Sequence, residues 1–362
     1  MKKKSSKNKT IQIDKEEENR LFLQTISLSQ KAKIKEIENK IICGDSTDLN
    51  LVQCIPPDTF DLMIIDPPYN LTKRYGTDTF NKMYDNDYIR WFNSFIQGIR
   101  HVIKPNGTVY VCSDWTTSNL IYPILEKHFT IKNRITWERE KGRGAKSNWK
   151  NCLEDIWFCT LSNKYTFNAE AIKLKKRVIA PYKDNNDNAK DWNDEKDGKF
   201  RLTYASNLWT DISIPCWSMP ENTDHPTQKP EKLIAKLIIA SSNEGDFVFD
   251  PFLGSGTTAV VAKKLNRRFC GIEQNCYYAA LSMKRLELAE INKSIQGYEN
   301  GIFYDRNMLI KKTEDEIKQH RAKTNEEKCK NGKLLLNKKF IENLSSFFDE
   351  PVDDLDISLK KK

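Results

Sequence analysis

Residues 249 to 259 read Phe249-Asp250-Pro251-Phe252-Leu253-Gly254-Ser255-Gly256-Thr257-Thr258-Ala259, a glycine-broken turn set between a strand-like run and a helix-like one. Glycines at such a turn let the backbone reverse tightly and approach a ligand with no Cβ in the way. The next strand-like run, Arg268 to Glu273, ends on Glu273, 19 residues after Gly254 (273 − 254), where a carboxylate is placed to accept hydrogen bonds from a ribose diol. Together these features describe a nucleoside-binding crevice at the carboxyl ends of parallel strands, with a glycine turn that merely joins strand to helix as the plainer alternative.

The rest of the chain keeps the same rhythm. Strands are expected near Lys40 to Gly44, Phe60 to Ile65, Thr108 to Cys112, Lys132 to Glu138, Asp155 to Thr160 and Phe247 to Asp250. Helices are expected over Asp87 to Ile103, Pro230 to Ser242, Thr257 to Leu265 and Tyr277 to Asn292, with Lys104-Pro105-Asn106-Gly107 as a turn. That alternation is the signature of a parallel sheet with crossover helices. It fades between Lys173 and Asn222, where polar stretches are punctuated by Trp192, Trp209 and Trp217, and it ends beyond Gly301 in a charged, helix-prone segment.

Which nucleoside the loop serves is open at the level of the glycines. Gly254-x-Gly256-x-x-Ala259 also satisfies a dinucleotide fingerprint, which keeps an NAD-dependent oxidoreductase as an alternative. A phosphate loop of the Gly-Lys-Ser/Thr kind is excluded by the spacing. The Asp-Pro-Phe lead-in and the doubled threonine are not what a pyrophosphate-cradling turn requires.

A second stretch narrows the choice. Ile64-Ile65-Asp66-Pro67-Pro68-Tyr69-Asn70 leaves an apolar strand through a carboxylate, two prolines and an aromatic ring. Each proline fixes φ and removes an N–H, so the carbonyls at this edge have no neighbouring donors competing for them. The Asp66 carboxylate and the Pro67 carbonyl then suit a group offering two protons, such as an exocyclic amine. Tyr69 offers a flat surface on which a nucleobase can stack. Asn70 has no role that the sequence assigns.

With these residues the chain resembles the amino-methyltransferases of DNA, in which Asp-Pro-Pro-Tyr is the catalytic motif and Phe-x-Gly-x-Gly binds S-adenosylmethionine. The catalytic motif comes first and the glycine loop 188 residues later (254 − 66), an order similar to the circularly permuted β class. Cys43-Gly44-Asp45-Ser46, Lys104-Pro105-x-Gly107 and His225-Pro226-Thr227-Gln228-Lys229-Pro230 fit the same pattern, and the resemblance covers roughly residues 40 to 175 and 222 to 292. It implies an α/β fold, a doubly wound, mostly parallel seven-stranded Rossmann-like sheet with an inserted target-recognition region. It assigns catalysis to Asp66, Pro67, Pro68 and Tyr69, and cofactor binding to Asp45, Asp66, Thr227, Gln228, Lys229, Asp250, Phe252, Gly254, Ser255, Gly256, Thr257, Thr258 and Glu273. No metal is implied.

The division that follows is a mobile basic tail over 1–20, a catalytic half over 21–172, a target-recognition region over 173–221, a cofactor-binding half over 222–300 and a charged helical extension over 301–362. The implied reaction is methyl transfer from S-adenosylmethionine to the N6 of adenine in double-stranded DNA after base flipping. Cytosine N4 is the nearest alternative, and Asp rather than Ser at the head of the motif leans toward adenine. A DNA-binding protein that kept the fold without catalysis would be expected to lack Asp66 or Gly254; both are present.

Composition agrees with a polyanionic partner: 59 Lys+Arg against 50 Asp+Glu give a net charge of +9. Arg139, Lys141, Arg143, Lys146 and Lys150, interleaved with Trp137 and Trp149, form a candidate phosphate track. Nine cysteines without a Cys-x-x-Cys pair and four histidines without ligand-like spacing suit a reducing compartment and no zinc site. The absence of a signal peptide or a membrane-length apolar run makes the expected location cytoplasmic, away from any membrane. A cognate restriction endonuclease and a homodimer are the partners that the family admits.

Overall fold

The computed structural model describes residues 9–76, 78–139, 147–178, 183–185, 191–195, 198–306 and 308. They fall into two units, Ile13–Ile214 with His225–Met308, and a small one to which residues 9–12 and 215–224 belong. In the small unit Ile11 bridges Thr223 in parallel, and the Lys9 N–H donates to the Trp217 carbonyl at 2.9 Å.

The larger unit runs α1 (Lys15–Phe22), α2 (Ile34–Ile37), β1 (Lys40–Cys43), α3 (Leu49–Gln53), β2 (Phe60–Ile65), the hairpin β3 (Lys73–Tyr75) and β4 (Asp78–Phe80), α4 (Asp85–Ile99), β5 (Ile103–Ser113), α5 (Trp115–His128), β6 (Thr130–Glu138) and β7 (Leu153–Thr160). Four short strands follow, β8 (Leu174–Arg177), β9 (Asn193–Glu195), β10 (Gly198–Thr203) and β11 (Leu208–Trp209). The chain then continues with α6 (Glu231–Ser241), β12 (Phe247–Asp250), α7 (Thr257–Lys264), β13 (Arg268–Glu273), α8 (Cys276–Ile291), β14 (Tyr298–Glu299) and β15 (Ile302–Tyr304).

The main sheet has the order β1-β13-β12-β2-β5-β7-β6-β11. Its first five strands are parallel throughout, and β7 is antiparallel to both neighbours. The expectation of seven strands is corrected to eight, because Leu208–Trp209 adds a short parallel strand to the β6 edge. The chain enters at the β1 edge, crosses to β2, and only near its end fills the two places between with β12 and β13. From the β12–β2 pair the order therefore runs outward in both directions, which opens a crevice at their carboxyl ends.

Period-two alternation along β2 feeds both faces of the sheet. Leu62 and Ile64 enter one core layer with α6 and α7, while Met63 and Ile65 enter another with α4 and α5. Phe60 stacks on Phe249 at 4.4 Å and meets the edge of Phe247 at 4.7 Å, which locks β2 against β12.

Several elements differ from expectation. Lys15–Phe22 is a helix within the expected tail, started by Asp14 accepting from the Glu17 N–H and tied to α8 through Arg20–Glu287 (2.8 Å) and Lys284–Glu17 (2.5 Å). Lys104 to Gly107 bulges within β5, where the register moves from Phe60↔Ile103 to Leu62↔Thr108. Helix α5 was not expected, since Pro123 interrupts its apolar period. The polar region beyond Lys173 supplies β8, β9 and β10 to a five-stranded sheet, β14-β15-β8-β10-β9. Its other two strands come from 298–304, across the expected boundary at residue 300. Residues 309–362, most of the expected extension, lie outside the described residues. Among the described residues no helix is long and apolar enough to cross a membrane.

Helix α6 is buried along its whole length although it carries Lys232 and Lys236. Both ammonium groups meet the buried Asp211 carboxylate, at 2.7 and 2.8 Å, which fastens the segment after β11 to the core. Burial, only partly offset by Asp211, pushes Lys236 down to about 8. Asp211→Ala, which strands the buried Lys236 ammonium and leaves Lys232 only the Asp211 and Tyr304 backbone carbonyls, should cost about 3–5 kcal/mol of unfolding free energy. Denaturant melts check this; a loss below about 1 kcal/mol would mean that the lysines find other acceptors.

Candidate active site

Because β2 and β12 are neighbours, the two stretches that the sequence singled out meet although 188 residues separate Asp66 from Gly254 (254 − 66). Of the expected site residues, Asp66, Thr227, Gln228, Lys229, Asp250, Phe252, Gly254, Ser255, Thr257 and Thr258 line one pocket, together with His225 and Cys112.

The glycine loop is built as the sequence requires. Gly254 and Gly256 have φ of +56° and +82°, the left-handed region that side chains disfavour. A Cβ on Gly254 would lie 3.1 Å from His225 Nε2, and one on Gly256 would lie 2.6 Å from Ser282 Cβ. The buried Asp250 carboxylate holds the loop from beneath, accepting from the Phe252 N–H (2.9 Å) and the Thr258 hydroxyl (2.6 Å). Burial pushes the Asp250 carboxyl up to about 7, against the pull of those two donors. Glu273 accepts from the Gly254 N–H and the Asn275 N–H, both at 2.8 Å, so its carboxylate stands at the loop as expected. Asp45 follows β1 beside that strand end; it is exposed and accepts from the Thr47 N–H and hydroxyl at 2.8 Å.

Arg285 was not foreseen. Its buried guanidinium donates to the Ser255 carbonyl and to Thr257 Oγ1, each at 2.9 Å, and pairs with Glu231 at 3.0 Å. Thr257 in turn donates to the Lys229 carbonyl at 3.1 Å. The only trace of this in the sequence is an arginine among the apolar positions of α8.

The motif after β2 carries a charge network. Lys229 Nζ lies 2.7 and 2.6 Å from the two Asp66 oxygens, 3.2 Å from the Tyr69 hydroxyl and 3.4 Å from Glu154 Oε2. Tyr69 donates to Asp66 at 3.0 Å and reaches Glu154 at 3.3 Å. On its other oxygen Glu154 holds Arg139 at 2.5 Å. Burial alone pulls the Lys229 ammonium down, but Asp66 and Glu154 more than reverse this and raise its pKa above the ordinary lysine value. Burial, then Asp66 and Glu154, raise the Tyr69 phenol. Glu154 was not singled out in the sequence, where it stands one residue before the strand expected over Asp155 to Thr160.

Pro67 is buried at the strand exit, and the Pro68 carbonyl accepts from the Tyr88 hydroxyl at 2.9 Å. Asn70 now has a role. It is buried, its Oδ1 accepts from the Met83 N–H at 2.8 Å, its Nδ2 donates to the Met83 carbonyl at 3.1 Å and to Asp85 at 3.2 Å, and its N–H donates to Thr117 at 3.1 Å. It pins the exit of the motif to the starts of α4 and α5.

Of the expected phosphate track, Arg139 turns inward to Glu154, while Lys150 is exposed beside Trp149, which is 93% exposed. Lys141, Arg143 and Lys146 lie outside the described residues. Among the described residues no group of three or more His, Cys, Asp or Glu side chains is placed to hold a metal.

A family profile described as DNA methylase matches residues 60–284. The DNA adenine methyltransferase YhdJ of Escherichia coli K12 is 36% identical over 259 residues, 69% of this chain and 83% of that protein. The type II methyltransferase M.HpaI of Haemophilus parainfluenzae is 33% identical over 254 residues, 69% of this chain and 75% of that protein. A solved structure of the PvuII DNA methyltransferase (cytosine-N4-specific) superposes with a TM-score of 0.49 at 18% identity, over 74% of this chain and 94% of the other.

The packing of the site carries a pH signature. His225 lies edge-on to Tyr278 at 4.5 Å, and burial, followed by Lys229, Arg285 and Lys73, pushes its imidazole down to about 3. Unfolded, the same ring titrates near its ordinary value, about 6.5. Between those values the unfolded chain binds the extra proton, so stability should fall as pH drops from about 6.5 toward 3. His225→Gln should flatten that limb in acid unfolding curves; an unchanged slope would show that His225 is protonated in the fold.

Proposed function

This chain belongs to the N6/N4 DNA methylase family, and from that premise we propose that it methylates the exocyclic N6 of adenine within a short sequence of double-stranded DNA. The observation that carries the reading is the single pocket lined both by Asp66 of the Asp-Pro-Pro-Tyr exit and by the glycine loop of α7. Asp at the head of the motif favours adenine over cytosine N4, as does the 36% identity to an adenine methyltransferase. The order in which the chain reaches the sheet centre, β2 before β12 and β13, supports reading it as the circularly permuted β class.

The methyl donor is S-adenosylmethionine, whose sulfonium supplies an electrophilic methyl group. The residues present fit such a ligand. Carboxylates at Asp66 and Asp250 suit its cationic end, the Cβ-free Gly254 and Gly256 allow close approach of the backbone, and Glu273 at the strand end suits its ribose. Asp45, at the end of the neighbouring β1, completes the adenosine side.

An aromatic amine is a weak nucleophile because its lone pair is delocalised into the ring. When Asp66 and the Pro67 carbonyl accept its two N–H bonds, the nitrogen pyramidalises and the lone pair turns toward the methyl group. Asp66 or water takes the proton afterwards. A paired base cannot reach Asp66, so it must be flipped out at about a few kcal/mol, which stacking on Tyr69, worth roughly 1–3 kcal/mol, offsets. Lys150 and Trp149 supply contacts to the DNA strand, and the target-recognition region, residues 173–221, reads the sequence. The enzyme works in the cytoplasm, and a cognate restriction endonuclease is a partner that its family admits.

Asp66→Ala should abolish methyl transfer from labelled cofactor to DNA while weakening cofactor binding far less than it slows turnover, since the residue acts mainly in the transition state. Retained turnover would sink the role. Gly254→Arg should instead abolish cofactor binding, measured by calorimetry. Nucleoside analysis of the labelled DNA should give N6-methyladenine, and N4-methylcytosine would overturn the choice of base.

A further inference from the structure

The pocket holds one more cation than the proposed chemistry has room for. Lys229 Nζ spans both oxygens of Asp66, the carboxylate that has to receive the substrate amine. Methyl transfer brings nitrogen and methyl carbon to about 3–3.5 Å, so a sulfonium has to come close to the same carboxylate. Two like charges crowded into a buried site repel strongly. One of them has to move, and the bound donor is held in place by the reaction geometry.

The structure supplies a destination. Glu154 is buried, 4% exposed, its Oε2 lies 3.4 Å from Lys229 Nζ, and both groups reach the Tyr69 hydroxyl. A shift of under about 1 Å brings that pair into the range of a charge-assisted hydrogen bond. Arg139 occupies the other Glu154 oxygen at 2.5 Å and keeps the carboxylate aimed. The Tyr69 hydroxyl touches Asp66, Lys229 and Glu154, so it can follow the ammonium without losing a partner.

We propose that Lys229 is a displaceable counter-ion that occupies Asp66 in the empty enzyme and passes to Glu154 when a cationic methyl donor and the amine enter, with Glu154 as the positioning residue that receives it. The proposal rests on the methyltransferase reading above. It gives Glu154 and Arg139 a task that the sequence did not reveal, and it makes the site discriminate by the charge of the donor.

The test compares S-adenosylmethionine, which is cationic at sulfur, with S-adenosylhomocysteine, which is neutral there, by calorimetry on the full chain. Glu154→Gln, which leaves Lys229 on Asp66, should raise the ratio of the two dissociation constants, cation over neutral, about five- to tenfold. It should lower kcat more than it raises KM for DNA. Glu154→Asp should restore the ratio to within about twofold of wild type. Lys229→Met, which removes the competing cation, should move the ratio in the opposite direction, as a general loss of packing would not. Equal weakening of both ligands in Glu154→Gln, or a ratio unmoved in Lys229→Met, overturns the proposal. A wild-type chain that binds neither ligand refutes the methyltransferase reading itself, and is distinguishable from those results.

Discussion

Everything at the site depends on β2 and β12 lying side by side in parallel. Their pairing places Asp66 and Asp250 at adjacent strand ends, and the Phe60–Phe249 stack holds the pair from within the sheet. Apolar burial of such rings supplies about 2–3 kcal/mol each, which is enough to fix the alignment of two short strands whose hydrogen bonds contribute little net stability. The placing of the two carboxylates is thus set by a hydrophobic contact within the sheet.

From that pairing two kinds of support radiate. On the β12 side the loop is held by backbone geometry and by buried polar groups: left-handed Gly254 and Gly256, Asp250 beneath, and Arg285 reaching from α8. On the β2 side the two prolines stiffen the exit, and Asn70 and Tyr88 tie it to α4 and α5. Neither side would hold its ligand groups without the other, since Thr257 bonds the carbonyl of Lys229 and Lys229 bonds Asp66.

The buried charges are balanced locally. Asp66 and Glu154 face Lys229 and Arg139, and Lys232 and Lys236 share Asp211. Ions in such places persist only when paired, because each unpaired charge costs several kcal/mol of desolvation. The first group lies at the pocket that Asp66 and Lys229 line; the second fastens α6 and the segment after β11.

The sequence by itself determined the local grammar. Phe247–Asp250 and Arg268–Glu273 are strands at the expected residues, the glycine loop turns where Gly254 and Gly256 permit it, and the Asp-Pro-Pro-Tyr exit could only be a stiff edge. Those readings succeeded because backbone conformation and apolar periodicity act over a few residues. Tertiary structure alone decided who meets whom. Arg139 pairs with Glu154, Lys229 crossed 163 positions (229 − 66) to bind Asp66, and the strands at 298–304 joined the sheet begun at Leu174. Contacts of that kind arise from the order in which strands fill a sheet and from the need to neutralise charge out of water, and neither leaves a periodic mark along the chain.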